Sequence, residues 1–280
     1  ASSASYGDVT AALAAAGDYY TVHIPAGTCY VEEDIELPDN IWLKGAGQGR
    51  TIFKPAENWS GNYALIDDGR SLSEGSILRQ FKNGKISDIT FSAGDGTPEL
   101  DHLLRIAGQR AVIENCTFSH EELAAKSLAG NSIISIGGTA YHTGAEESAQ
   151  VWVRNCTFNQ AARVALGGRQ VFYEGNTNAG MYDLGSLLKF GAAEQIAIEG
   201  NMARDYDNSD YTDGYGWSQG RFIGGNGQVG ASRHIYIGGN ETVDLCPRYN
   251  YDLHKFDSNQ PHQNAGEQIM FEALQARWRG

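Results

Sequence analysis

Along most of the chain, apolar residues recur in short alternating runs that stop at Gly, Asn or Asp, and the runs fall into two series. One reads ISDITF (86–91), IENCTF (113–118), VRNCTF (153–158), YEGNTN (173–178), IEGNMA (198–203) and IGGNET (237–242). The other, preceding most of these, reads LLRIAG (103–108), IISIGG (133–138), RVALGG (163–168), LLKFGA (187–192) and RFIGG (221–225). Short period-two runs bounded by turn residues predict strands. Helical spacing appears in GDVTAALAAAG (7–17), where Asp8 is placed to cap the N-terminus and Gly17 to stop the helix.

Pairing the two series gives a unit of about 20 residues: strand, tight Gly turn, strand, Asn turn, then a connection of variable length. So short a unit cannot bury its own apolar face and must stack on its neighbours. The expectation is an all-β, right-handed parallel β-helix with a short N-terminal capping helix, residues 1–280 forming one domain. Its coils would lie about 4.8 Å apart. Stacking then places Cys116 and Cys156 in one column, as buried free thiols in preference to a disulfide. Asn115 and Asn155 share a column, with Asn176, Asn201 and Asn240 in a related one, one residue along. Amides stacked at this spacing bond along the axis. The NCT sequons at 115 and 155 are therefore expected to face inward and stay unglycosylated, whereas Asn58 in ENWSGN looks exposed.

In the N-terminal third, TVHIPAGTCYV (21–31) reads as strand, turn, strand, and IELPDNIWLKGAGQGRTIFKP (35–55) as two more short strands and a Gly-rich turn. GAGQGR (45–50) lacks the third Gly, the Lys-Ser/Thr pair and the βαβ setting of a phosphate loop, so a turn is expected there. A small helix followed by VHIPAGTCYV and IWLKGAGQGRTIF resembles the opening of the pectate-lyase-like right-handed β-helix superfamily. That group holds polysaccharide lyases, glycoside hydrolases, uronate epimerases and phage tailspikes. The resemblance implies the fold and leaves the reaction open. RxPxxR, NTD, GHG and DPHD, motifs of its better-known members, are absent, the last only echoed in YDLH (251–254), so no catalytic residue carries over.

Insertions carry function in stacked repeats. Segments 94–102, 119–131, 203–220 and 243–267 follow the Asn-turn strand and would emerge on one edge of the LLRIAG-type sheet; 139–150 would leave from the other. Loops on both sides of one sheet wall a groove suited to a chain-like ligand. Alternation puts Ile106, Ile136, Leu166, Phe190 and Ile223 inside and Arg105, Ser135, Ala165, Lys189 and Phe222 outside. Arg163 lies two residues before Ala165 on the same outward face, and Arg221 is close but out of phase. Either these cations floor the groove or they are ordinary solvated charge. The loop 205–217 interleaves Asp205, Asp207, Asp210 and Asp213 with Tyr206, Tyr211, Tyr215 and Trp217. Its oxygens suit Ca²⁺ (Asp205, Asp207 and Asp213 as ligands) and its rings suit sugars, although it fails the EF-hand pattern. The loop 248–257 adds Tyr249, Asp252, His254, Lys255 and Asp257.

Net charge is −13 over 280 residues, with an isoelectric point near 4.9. That sign disfavours nucleic acid and anionic membranes as partners. No apolar run reaches the roughly 18 residues of a membrane span. The four cysteines have no CxxC spacing, so zinc is not expected. No leader is visible at ASSASYGD. At the other end, FEALQARWRG follows an apparent strand without a polar cap, which predicts a further C-terminal segment or a homo-oligomeric partner.

These pieces fit a secreted (extracellular or periplasmic) protein acting on polysaccharide. In β-elimination on a uronate polymer, Arg163 would clamp the carboxylate, Lys189 would take the α-proton, and Tyr249 or His254 would protonate the leaving oxygen. Arg105, Arg221, Tyr211, Tyr215, Trp217 and Lys255 would hold the chain. The alternatives are a glycoside hydrolase pairing Asp205, Asp207 or Asp213 with Asp252 or Asp257, and a non-catalytic carbohydrate-binding or tailspike-like surface protein.

Overall fold

A computed structural model of the chain describes residues 1–60, 64–67, 83–93, 102–106, 110–119, 132–136, 150–159, 163–166, 168–179, 186–190, 195–204, 221–225, 234–243 and 269–272. Helix α1 (Tyr6–Ala15) opens it, followed by the first coil, β1 (Thr21–His23), β2 (Gly27–Val31) and β3 (Ile35–Glu36). The second coil is β4 (Trp42–Lys44), β5 (Thr51–Pro55) and β6 (Ala64–Asp67); the third is β7 (Gly84–Ser87), β8 (Thr90–Ser92) and β9 (His102–Ile106). Then come β10 (Arg110–Glu114), β11 (Thr117–Ser119) and β12 (Ser132–Ile136), and β13 (Gln150–Arg154), β14 (Thr157–Asn159) and β15 (Arg163–Leu166). The sixth coil is β16 (Gln170–Glu174), β17 (Thr177–Ala179) and β18 (Ser186–Phe190); the seventh is β19 (Gln195–Glu199), β20 (Met202–Arg204) and β21 (Arg221–Gly225). Strands β22 (Ile235–Gly238), β23 (Glu241–Val243) and β24 (Ile269–Glu272) complete the series.

Among the described residues, every third strand pairs in parallel with the last, giving sheets of nine, eight and seven strands whose orders count up by three until the final step, where β22 pairs with β24. These are sheet 1 (β1, β4 … β24), sheet 2 (β2, β5 … β23) and sheet 3 (β3, β6 … β21). The architecture is an all-β parallel β-helix with one short helix at its N-terminal end. Each coil has three strands, one more than the sequence pattern suggests. The additional one, TFS in β8 and β11, is three residues long with a single inward side chain, too short to show alternation. The N-terminal region likewise gains the two-residue β3.

The interior is built from columns in register. In sheet 1, Val22, Leu43, Ile86, Ile113, Val153, Tyr173, Ile198 and Ile237 follow one another, and all are buried. In sheet 2, Cys29 leads into Phe53, Phe91, Phe118 and Phe158. The ring centroids of Phe91, Phe118 and Phe158 repeat at 5.2 Å with planes 9° apart. Asn178 interrupts this column. There Tyr173 turns its ring toward Phe158 at 6.1 Å and donates its hydroxyl to Asn178 Oδ1 at 2.9 Å, so the buried amide is satisfied where the rings run out.

From the third coil on, sheets 1 and 2 are joined by two-residue corners. The first corner residue has positive φ in six successive coils: Asp88, Asn115, Asn155, Gly175, Gly200 and Gly239. Only Gly, Asn and Asp adopt that conformation routinely, which is why the chain writes N-C and G-N alternately at one place in space. The second residue points inward, as Cys116, Cys156, Asn176, Asn201 and Asn240. The inward ladder therefore consists of Asn176, Asn201 and Asn240. Asn115 and Asn155 were expected to face inward; they are instead the left-handed corner residues, half-buried and exposed respectively. Burial is thus no obstacle to modification at 155. Asn58 is exposed as expected.

Helix α1 closes the first coil by burying Val9 and Leu13. Its N-cap is Ser5, whose hydroxyl accepts from the Asp8 amide at 3.3 Å. Asp8, expected as the cap, occupies the third helical position, where its charge still favours the positive end of the helix. The chain leaves α1 through Ala16 ahead of Gly17.

Candidate functional site

In chain order, segments 94–101, 120–131 and 205–220 separate sheet 2 strands from β9, β12 and β21 of sheet 3, 137–149 follows β12, and 244–268 separates β23 from β24; all five lie outside the described residues. Along the sheet, Asp67, Arg105, Ser135, Ala165, Lys189 and Gly224 occupy one register column. The inward column beside it runs Leu104, Ile134, Val164, of which all three are buried, so the Arg105–Lys189 column takes the alternate positions of the pleat.

Arg163 stands two residues before Ala165, the register partner of Lys189, and pairs with Ser132 across a bulge. The Cα positions of Arg163 and Lys189 are then diagonal neighbours, about 8 Å apart from one strand spacing and two residue rises. Lys189 pairs with Gly224 and Phe190 with Gly225. The outward partner expected for Lys189 was Phe222; the register shifts it by two because the apolar anchor of RFIGG, Ile223, aligns with Leu188. Arg221 pairs with Ser186 and shares the parity of Ile223, out of phase with Lys189 as expected.

Asp205, Asp207, Asp213, Tyr211, Tyr215, Trp217, Tyr249, His254 and Lys255 lie outside the described residues. Asp210, Asp252, Asp257 and Cys246 do too. Among the described residues, no group of three or more His, Cys, Asp or Glu is placed to hold a metal, and no helix is long and apolar enough to cross a membrane.

The other motifs resolve into structure. In GAGQGR the Gly45 and Gly47 amides donate to Ser87 and Asp88 carbonyls at 2.9 and 3.0 Å. The Ala46 and Gly49 amides donate to the Thr51 and Thr90 hydroxyls, both at 2.8 Å. Four of its backbone donors are thus held within the turn and by the following coil, as in a structural turn. A Cβ at Gly45 would lie 2.2 Å from the Asp88 carbonyl oxygen, which explains glycine there. Cys29, Cys116 and Cys156 are free and buried. Burial pushes the Cys29 thiol up to about 12 and raises Cys116 well above its ordinary value, so neither is a nucleophile or metal ligand near neutral pH.

The outer face of sheet 1 carries further polar and aromatic chemistry, away from the insertions. Glu114 forms ion pairs with Lys85 of the coil before and with Arg154 of the coil after, the latter at 2.6 Å. Lys85 also lies over the Trp42 ring, 4.2 Å from its centroid, and the Trp42 indole N–H donates to Ser87 Oγ at 3.0 Å. Gln150 donates to Gln170 and Gln170 to Gln195, each at 2.6 Å. Beside this ladder Trp152 and Phe172 stack at 5.0 Å, and the Arg110 guanidinium covers Trp152 at 5.1 Å. The visible signal is the outward set of QVWVR and QVFYE, which puts Gln and aromatics where a solvated strand needs neither.

Burial disfavours the ionised Glu114 carboxyl, but the bonds from Lys85 and Arg154 outweigh it and hold the group below the ordinary glutamate range. A carboxyl lowered in the folded state stabilises fully above the unfolded value of about 4.3 and loses that contribution as pH falls through its folded value. Wild type should therefore melt above Glu114→Gln at pH 7, and the gap should narrow as the pH falls below the unfolded value of about 4.3 and through the lower folded one. Melting temperatures of both proteins across that range test it, and a gap constant with pH would refute it.

No protein-family model matches the chain, and no curated protein matches it. Among solved structures, the A-module of a mannuronan C-5 epimerase from Azotobacter vinelandii is similar to 98% of this chain over 96% of its own length, at 14% identity and a TM-score of 0.25.

Proposed function

We propose that this chain acts on polysaccharide at the outer face of sheet 3, cleaving a uronate-containing polymer by β-elimination. The observation that carries the reading is the register placing Lys189 beside Ala165 and diagonal to Arg163, with Arg105 further along the same column. In this reading Arg163 meets the substrate carboxylate and stabilises the charge that develops when the C5 proton leaves. Unprotonated Lys189 takes that proton, the electron pair forms the C4–C5 double bond, and the C4–O bond breaks. The leaving oxygen receives a proton from Tyr249 or His254. Tyr211, Tyr215, Trp217 and Lys255 would line the groove with Arg105. Asp205, Asp207 and Asp213 would hold Ca²⁺ against the same carboxylate. An extracellular or periplasmic location goes with such a substrate.

The test is a panel of polygalacturonate, alginate and hyaluronan, with and without EDTA, read at 235 nm and by reducing ends. Elimination produces both signals, and Lys189→Ala or Arg163→Ala should lower the rate about 10²-fold or more without changing the melting temperature. Loss under EDTA with recovery in Ca²⁺ would support the metal. Reducing ends without absorbance would overturn elimination and move the chemistry to the carboxylates of 205–213 and 252–257. Silence in both would leave a carbohydrate-binding surface without turnover.

A further inference from the structure

The outer face of sheet 1 holds a second feature, independent of the reading above. Val112, Trp152, Phe172, Ala197 and Tyr236 are consecutive partners in five coils. All are partly exposed, so an uncharged stripe runs where the pleat presents its solvent side. Among the described residues, its aromatic stack is finished at one end and open at the other. Arg110 covers Trp152, and Trp152 covers one face of Phe172. On the other face of Phe172 the register partner is Ala197, whose methyl group cannot fill the height of a ring.

Beyond Ala197 the next coil supplies Tyr236. It leans along its own strand: its hydroxyl oxygen is 2.5 Å from where a Cβ on Gly238 would lie. Only a glycine admits the ring there, and the consequence is a notch bounded by Phe172, Ala197 and Tyr236. The two coil spacings between Phe172 and Tyr236 amount to roughly 9.6 Å, room for one ring-thick group stacked on Phe172.

The two ends of the notch are polar. Gln195 lies two residues before Ala197 and Glu199 two residues after, both exposed. Gln195 accepts from Gln170 through its carbonyl oxygen, leaving its NH₂ as a donor, and the ladder behind it fixes its position. Glu199 is the register partner of Glu174. Arg154, the nearest cation in that column, is bonded to Glu114. Among the described residues of that column, an anionic ligand would meet two carboxylates with no unbonded cation to offset them, whereas hydroxyl groups donate well to a carboxylate. An apolar face with a donor at one end and charged acceptors at the other matches a pyranose ring, apolar on its face and hydroxylated at its edge. An aromatic side chain of a partner protein would fill the notch but leave both polar ends unused.

We propose that the notch over Ala197 binds a neutral glycan, one pyranose ring stacked on Phe172 and the chain crossing the solenoid from Gln195 to Glu199.

The experiment is native electrophoresis of the full chain in gels containing hydroxyethylcellulose, xyloglucan or glucomannan, with polygalacturonate as the anionic comparison. Retardation is expected in at least one neutral gel and not in polygalacturonate through this site. Ala197→Phe, which fills the notch and extends the stack, should weaken that retardation at least tenfold, as should Phe172→Ala. Ala197→Gly should retain it. All three lie on the outer face and should keep the wild-type circular dichroism; Phe172→Ala, which loses the Trp152 stack, and Ala197→Gly should melt somewhat lower but remain folded in the gel. Lys189→Ala should bind neutral glycan like wild type, so failure of the sheet 3 reading and failure of this one are distinguishable. Unchanged migration in all three neutral gels would overturn the proposal, as would retardation that survives Ala197→Phe. A concentration-dependent dimer dissolved by Ala197→Phe would instead assign the notch to a second copy of the chain.

Discussion

Replacing Asn201 with Ala should cost about 4 kcal/mol of folding stability, more than the loss of any exposed side chain. Asn201 is the middle rung of the buried amide ladder. Its side-chain nitrogen donates to the Tyr173 carbonyl at 2.9 Å and to Asn240 Oδ1 at 2.8 Å. Its side-chain oxygen accepts from the Asn176 main-chain amide at 2.8 Å and from Asn176 Nδ2 at 3.1 Å. Alanine deprives the Asn176 amides and the Tyr173 carbonyl of these partners at a depth where Asn176 is 1% exposed, so water cannot replace them. Each buried group left without a partner costs about 1–3 kcal/mol. Asn201→Asp separates the two halves of the interaction. The acceptor survives, but the donor is lost and a carboxylate faces two oxygens. Burial would raise the pKa of that carboxyl, so the damage should be greatest at neutral pH and ease as acid restores a donor. Urea unfolding of both variants at pH 7 and pH 5 tests this; a cost below about 1 kcal/mol for Asn201→Ala would show that the ladder is decorative.

The ladder also marks how far the sequence could be read. The stacking and the inward apolar columns follow from alternation and Gly punctuation, because each is a repeated pattern. The side taken by Asn115 and Asn155 does not. An Asn before Cys and a Gly before Asn are the same corner written two ways, and only the backbone angle separates the left-handed residue from the ladder residue. The RFIGG register slipped for a similar reason: a strand with Ile223 as its single large inward residue can align in more than one way. The notch on sheet 1 is legible in hindsight from the outward residues of QVFYE and QIAIE, but the open face of Phe172 depends on what stands in the neighbouring coils. Adjacency between coils 25 and 39 residues apart, as from Phe172 to Ala197 and from Ala197 to Tyr236, is set by the insertions and not by local pattern.

Replacing Phe118 with Ala should be the most damaging single change in the described core, at about 5 kcal/mol. Truncating a buried Phe to Ala costs about 3–5 kcal/mol in lost transfer energy and residual cavity. Phe118 belongs at the upper end for two reasons. It is fully buried, and it is the inner member of the parallel stack, with Phe91 on one side and Phe158 on the other, both at 5.2 Å. Each such contact is worth about 0.5–1.5 kcal/mol beyond area burial. Phe53, which meets its neighbour edge-on at 5.5 Å and has Cys29 on its other side, should cost less. The solenoid gives the loss a particular form. Each coil touches only its neighbours, so stability is a sum of coil and interface terms, and Phe118→Ala weakens two adjacent interfaces at once. Unfolding should then lose cooperativity, with the coils carrying Trp42 separating from those carrying Trp152. Urea curves followed by tryptophan fluorescence and by far-ultraviolet circular dichroism should coincide for wild type and diverge for Phe118→Ala, with a lower apparent slope. A loss below about 2 kcal/mol in a single transition would contradict this account. If the site proposed on sheet 3 is the functional one, the same uncoupling should lower its activity: Arg105 and Lys189 belong to the third and sixth coils and keep their spacing only while the fourth and fifth remain stacked between them.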